Sequence, residues 1–311
     1  MRSSNVKFVL KSGFRFVIPI FCCNFAAANK TIWIMKKKYR FTDETREWKG
    51  CTLHRIEALM SFGNVKKGEL GGWIEKEENL SHDGDCWVRC DAKVWGNALV
   101  CGNAQVRGCA LVSDNAEVSD NADVYGYVRV SDKAQVYDNA KVNGKAVVCD
   151  HARVYGNALV CGNAVVSGCA DVYGYALVHG NAVVSGCAEV HSNADVSGDA
   201  QVHGDAQVCG YSVVSGNAVV RGNAVVSGNA DVSGDAVIEK NADYLVFKNF
   251  WSSGRFFTWT KSNNKWQVGC FYGTGEELIK KAFADSKKKG EMYKSYVEFV
   301  ESVMKKYESL K

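Results

Sequence analysis

The chain has 311 residues, 47% of them hydrophobic, with 30 glycines but a single proline, Pro19; glycine here serves regular tight turns, which excludes a disordered low-complexity chain. The net charge of +4 is unevenly spread: residues 1–82 carry 15 basic and 8 acidic side chains, residues 83–243 carry 10 and 19, and residues 244–311 carry 13 and 7. An acidic middle between basic ends gives no general nucleic-acid footprint, and no apolar run reaches the roughly 18 residues of a membrane helix.

Residues 1–34 stand apart. No acidic residue precedes Asp43, and Arg2, Lys7, Lys11 and Arg15 lead into the apolar run 16–23, followed by Ala26, Ala27 and Ala28. The outline is that of a signal peptide. The reading we favour makes Met35 the functional start and the upstream part an extension, dispensable to the fold. The 13 cysteines are odd in number and scattered over varied positions, which fits reduced thiols and a cytoplasmic location better than a disulfide framework. Residues 35–81 are expected to form an N-terminal β cap, with the strand-like run 52–56 packed over the first turn of the adjoining repeats.

From residue 82 to 243 the chain repeats every six residues. In steps of six from Val88 to Val232 every position is Val, and the next is Ile238, which makes 26 uninterrupted hexads. Two residues earlier stands a small residue, nearly always Ala, the exceptions being Cys86, Val128 and Ser212. Ala and Val point the same way, so each short strand buries one branched and one small side chain. Gly and Asn supply the turns. A strand this short pairs only with its equivalent in a neighbouring coil.

This repeat resembles the hexapeptide-repeat, left-handed β-helix superfamily, which includes trimeric acyltransferases and the γ-class carbonic anhydrases. The resemblance implies three hexads per 18-residue coil, a triangular section and left-handed winding. The fold class expected is therefore mainly β, a left-handed parallel β-helix of about nine coils, roughly 40 Å long. The lead-in Gly71-Gly72-Trp73-Ile74-Glu75 and then Asn79-Leu80-Ser81-His82-Asp83-Gly84-Asp85-Cys86-Trp87-Val88 resembles a bacterial and prophage group. Its members are labelled acyltransferases or polymer-forming proteins on repeat similarity alone, so the label carries no mechanism.

Residues 244–311 are expected to form a small aromatic-rich α+β tail. Residues 244–247, 255–260 and 265–272 read as three strands. Thr274 with Glu277 makes a capping box for a first helix, and Tyr293, Tyr296, Val297, Val300, Met304 and Tyr307 share one face of a second. Lys287, Lys288 and Lys289 fall between the helices, and the tail offers a surface to a partner protein.

No catalytic residue, cofactor or metal site is assigned from the sequence. Acyltransferases of the superfamily use a histidine base beside a loop extruded from the coils, and no such loop interrupts the hexads. His179, His191 and His203 are 12 residues apart, so they fall on different faces. One weak metal candidate is the column His151, Cys169 and Cys187, whose residue types suit zinc but whose straight line spans nearly 10 Å. Tyr137, Tyr155, Tyr173 and His191 should stack as an outward ladder, a stabilising or recognition stripe. Of the three outward columns only one is aliphatic over a long stretch, through Val147, Val165, Val183, Val219 and Val237, and it marks an oligomer interface. The superfamily resemblance favours a homotrimer. The function expected is a non-catalytic rigid scaffold or binding protein of phage or prophage type. The alternatives are acyl transfer from an acyl-CoA, and nucleotide or metabolite binding between subunits.

Overall fold

The computed structural model describes residues 37–251 and 253–310, so the extension and its signal-like outline lie outside the described residues. The Val columns form 26 strands, β4 (Trp87–Val88) through β29 (Val237–Ile238), nearly all two residues long. Up to the last coil, each pairs in parallel with the strand three further on: Val147 faces Val165, and Val165 faces Val183. Three strands to a turn give a parallel β-solenoid of about nine turns. Its interior is the Ala and Val set read from the sequence, with Ala164, Val166, Ala182 and Val184 all at 0% exposure. Close neighbours in this interior are alike in every coil, so each buried Val contributes about 2 kcal/mol of burial free energy in the same geometry.

The turns show why glycine recurs. Gly168 has a φ of +69°, and a Cβ there would lie 2.7 Å from the carbonyl oxygen of Gly186 in the next coil. Where Asp replaces glycine, as at Asp114, Asp132 and Asp150, φ stays near +60°. The carboxylate then accepts an amide from the coil above, as Asp150 does from Gly168 at 2.9 Å. That bond offsets the cost of the left-handed backbone, which Asp tolerates better than most residues.

A parallel solenoid leaves carbonyls unpaired in its first coil and N–H groups unpaired in its last. Both ends are closed by the flanking chain. At the start, β1 (Tyr39–Trp48) and β2 (Cys51–Ala58) form a hairpin, and β3 (Leu70–Ile74) runs antiparallel to β2 but parallel to β5 (Lys93–Val94). The backbone of Trp73 and Glu75 donates to the carbonyls of Ala92 and Val94. The Asn79 amide reaches those of Gly96 and Ala98, and the Lys38 ammonium those of Gly84 and Cys86. Gly71 and Gly72 allow this approach, since a Cβ on either would come within 2.7 Å of a carbonyl oxygen of the first coil.

At the far end the orphan N–H groups meet oxygen acceptors. Val225 donates to Asn241, Ser227 to the Tyr244 hydroxyl, Asp231 to Thr258, Val237 to Ser262 and Glu239 to the Asp243 carboxylate. The rod is thus closed by a cation where carbonyls end and by oxygen acceptors where amides end.

The tail builds its own core from Phe257, Trp259, Trp266, Leu278, Tyr293 and Val297. Its sheet has four antiparallel strands, β30 (Tyr244–Lys248), β31 (Phe256–Thr260), β32 (Lys265–Val268) and β33 (Phe271–Gly273). The third strand expected from the sequence is in fact two, because Gly269 at φ +59° turns the chain and Val268 pairs back onto Phe271. Helices α1 (Gly275–Asp285) and α2 (Lys287–Ser309) complete the tail, the first with the Thr274–Glu277 capping box. The three lysines open α2, with Ser286 as its cap, and do not form a linker.

Candidate functional site

Each outward column follows from strand register. The sheet holding β5 and β29 also holds the cap hairpin, and its outward positions include Val147, Val165, Val183, Val219 and Val237. All five are half-buried within one chain. Exposed Gln201 breaks the run between Val183 and Val219.

The aromatic ladder forms at the end of the strands of a second face. Tyr137, Tyr155 and Tyr173 stack with centroids 4.9 Å apart and planes within 5°, and His191 continues the stack at 4.8 Å. Their faces cover one another, which leaves the edges and hydroxyls outward. Burial raises the phenol pKa values, that of Tyr173 to about 12 with the Glu189 carboxylate adding to it. These phenols are therefore neutral hydrogen-bonding groups near neutral pH. Arg153 lies over Tyr155 and pairs with Asp171 one coil on.

Two residues beyond the ladder, around the corner of the prism, runs a column that sequence reasoning passed over. It begins as an amide ladder, in which Asn103 bonds Asn121 and Asn121 bonds Asn139. It continues through Asn157, Tyr175, Asn193, Tyr211 and Asn229. Tyr175 and Tyr211 are each 68% exposed, and with Tyr127 they are the large hydrophobic side chains that the described rod leaves most open. The tyrosines interrupt the ladder, so the side-chain amides of Asn193 and Asn229 make no hydrogen bond to the described residues. Alternation at 18-residue steps was the signal that could have found them.

This column ends in a cleft of about 240 Å³ between the last coils and the tail, lined on the rod side by Tyr211, Asn229 and Asp231 and on the tail side by Arg255, Phe256 and Gln267. Thr258 accepts the Asp231 N–H at 2.8 Å and fixes the tail against the rod. Burial pushes the Asp231 carboxyl above its ordinary value, opposed by the Gln267 amide.

His151, Cys169 and Cys187 occupy equivalent turns of successive coils, with the amides of His151 and Cys169 bonded to Gly168 and Gly186. Among the described residues the ligand atoms of Asp132, Cys149 and Asp150 come within 4.8 Å of one another, two exposed carboxylates beside a half-buried thiol, bonded into the turn ladder. His82 is part of the cap. Its Nδ1 accepts the Lys38 N–H at 3.2 Å, its ring stacks on Tyr39 at 4.4 Å, and burial lowers its pKa. No helix of the described residues is long and apolar enough to cross a membrane.

Two comparisons bear on this geometry. The family model described as the YdcK beta solenoid repeat matches residues 134–150 and 152–168, in the middle of the rod. Over 81 residues the chain is 33% identical to a protein of Escherichia coli (strain K12) named "Uncharacterized acetyltransferase YdcK". That stretch is 23% of this chain and 25% of the relative, so the chain spans about a quarter of the length of the curated relative it matches. The unbroken six-residue period and the stacked parallel strands make the rod a hexapeptide-repeat parallel β-solenoid, and its middle coils are similar to the YdcK repeat.

Proposed function

We propose that this protein is a rigid scaffold or binding protein, non-catalytic, that works through the faces of its β-helix and through its tail. The observation that carries the reading is the regularity of the rod: among the described residues, no segment leaves the hexad path between Val88 and Ile238. A donor the size of an acyl-CoA needs a concave site, and among the described residues well-formed clefts lie on the tail and at its junction with the rod. The half-buried valine column supports self-association into a closed symmetric oligomer, and the resemblance to the trimeric hexapeptide-repeat superfamily favours three subunits. The basic, aromatic tail is the surface for a partner protein, and the lead-in motif supports a phage or prophage setting.

Acyl transfer is the second reading, and one observation favours it: the likeness of the rod to a protein named as an acetyltransferase. Calorimetry with acetyl-CoA, run beside an assay for released thiol, separates the two. The scaffold reading expects no binding heat and no thiol. Micromolar affinity together with turnover would replace it with the enzyme.

A further inference from the structure

We propose that the corner running through Tyr175, Asn193, Tyr211 and Asn229 binds a neutral, extended β-1,4-linked glycan, whose end enters the cleft at Asp231. The inference rests on the binding reading above and names its ligand class.

Three observations carry it. The first is spacing. Tyr175 and Tyr211 are 36 residues apart in a rod with an 18-residue coil, hence two coils or roughly 9.6 Å. An extended β-1,4-linked chain repeats every disaccharide at close to this length. An extended peptide does not, since its same-side residues repeat at about 6.7 Å. The second is side-chain chemistry. An exposed tyrosine offers an apolar ring and a polar tip, which suits the C–H face and the hydroxyls of a pyranose. Between and beyond the tyrosines stand the unengaged amides of Asn193 and Asn229, each with two donors and an acceptor for sugar hydroxyls. The third is charge. Asp195 and Asp231 lie in the outward column beside this corner. Such a surface repels a polyanion such as nucleic acid and leaves a neutral ligand unopposed.

The cleft continues the same chemistry. Phe256 supplies another ring, and Asp231, Gln267 and Arg255 supply polar groups around the space next to Tyr211. From Tyr175 to Asn229 is three coils, roughly 14 Å, so the corner spans about three sugar units, the last of them in the cleft that Tyr211 and Asn229 line.

The test is titration of the full chain with cellohexaose and chitohexaose, by calorimetry or by retardation in affinity gels, with maltohexaose as the α-1,4-linked counterpart. One or both β-1,4-linked hexasaccharides should bind, and whichever binds names the sugar. Maltohexaose curves away from a straight column and should bind at least about tenfold more weakly. Tyr175→Ala and Tyr211→Ala should each weaken binding about tenfold, while Tyr127→Ala, on a different corner, leaves it unchanged. These side chains are exposed, so the melting temperature of each variant should stay at the parent value. Absence of binding by both β-1,4-linked probes at millimolar concentration, equal binding of maltohexaose, or full binding by the Tyr175→Ala, Tyr211→Ala double variant would overturn the proposal. None of these outcomes touches the acetyl-CoA experiment, so failure here is distinct from failure of the scaffold reading.

Discussion

The Lys38 ammonium donates to the carbonyl oxygen of Cys86 at 3.0 Å, across 48 positions of sequence. It also reaches the Gly84 carbonyl at 3.1 Å, and Lys38 as a whole is 2% exposed. These two carbonyls belong to the first coil and have no strand beneath them. Lys38→Met keeps the apolar stem but leaves both acceptors buried and unpaired, at a cost of about 2–4 kcal/mol. Urea unfolding of the variant should show that loss. A change below about 0.5 kcal/mol would mean that water or another donor serves these groups.

Glycines in the rod should differ in their tolerance of alanine. Gly168 and Gly228 have nearly the same φ, +69° and +70°, but a Cβ at Gly168 meets the Gly186 carbonyl while one at Gly228 meets nothing within 4 Å. Gly228→Ala should therefore cost only the left-handed backbone term, about 1–2 kcal/mol. Gly168→Ala should cost clearly more, because two coils must part to admit the methyl group. Thermal melts of the pair give the comparison directly.

Light scattering on the purified chain tests self-association through the valine column. A trimer at micromolar concentration is expected, and Val165→Asp with Val183→Asp should return it to monomers, since each carboxylate would be buried unpaired across the interface. Both positions point outward, so the monomer should keep its β-rich circular dichroism. A wild-type monomer rules the interface out, and an oligomer that survives both aspartates places it on another face.

Asp231 gives a pH dependence with a definite sign. Its carboxyl holds its proton more tightly in the folded chain than in the unfolded one, chiefly through burial. Ionisation therefore removes stability as pH rises from the ordinary aspartate range through the folded value, and the loss is absent below that window. Asp231→Asn should melt above the parent at neutral pH, and the two should converge on acidification. A gap that widens as pH falls would show that the carboxylate is stabilised in place.

The rod was legible because two residues in every six point inward, and Val at every sixth position from Val88 to Val232 admits no other period. The aromatic ladder was legible for the same reason, since Tyr137, Tyr155 and Tyr173 differ by a whole coil. The ends were harder. Lys38 looks like part of a solvated basic run, and only the first coil's unpaired carbonyls explain why it is buried. The division of the tail's third strand turned on the positive φ of Gly269, one glycine inside an otherwise strand-like run. Tyr175 and Tyr211 escaped notice because asparagines separate them in their column, and their neighbourhood with Asp231 and Phe256 depends on where the tail docks.

Equivalent coils also make length a separable variable of this molecule. Removing 18 residues, such as 151–168, joins Asp150 to Cys169 and leaves every later side chain in its column, one rung closer to the cap by about 4.8 Å. Removing six would instead carry the tail a third of a turn around the axis and pair each column with the wrong neighbour. Insertions and deletions in multiples of 18 are thus silent to the fold but not to reach. The hexad rod can act as a ruler whose graduation is one coil, with the cap as its zero and the tail as the mark it sets.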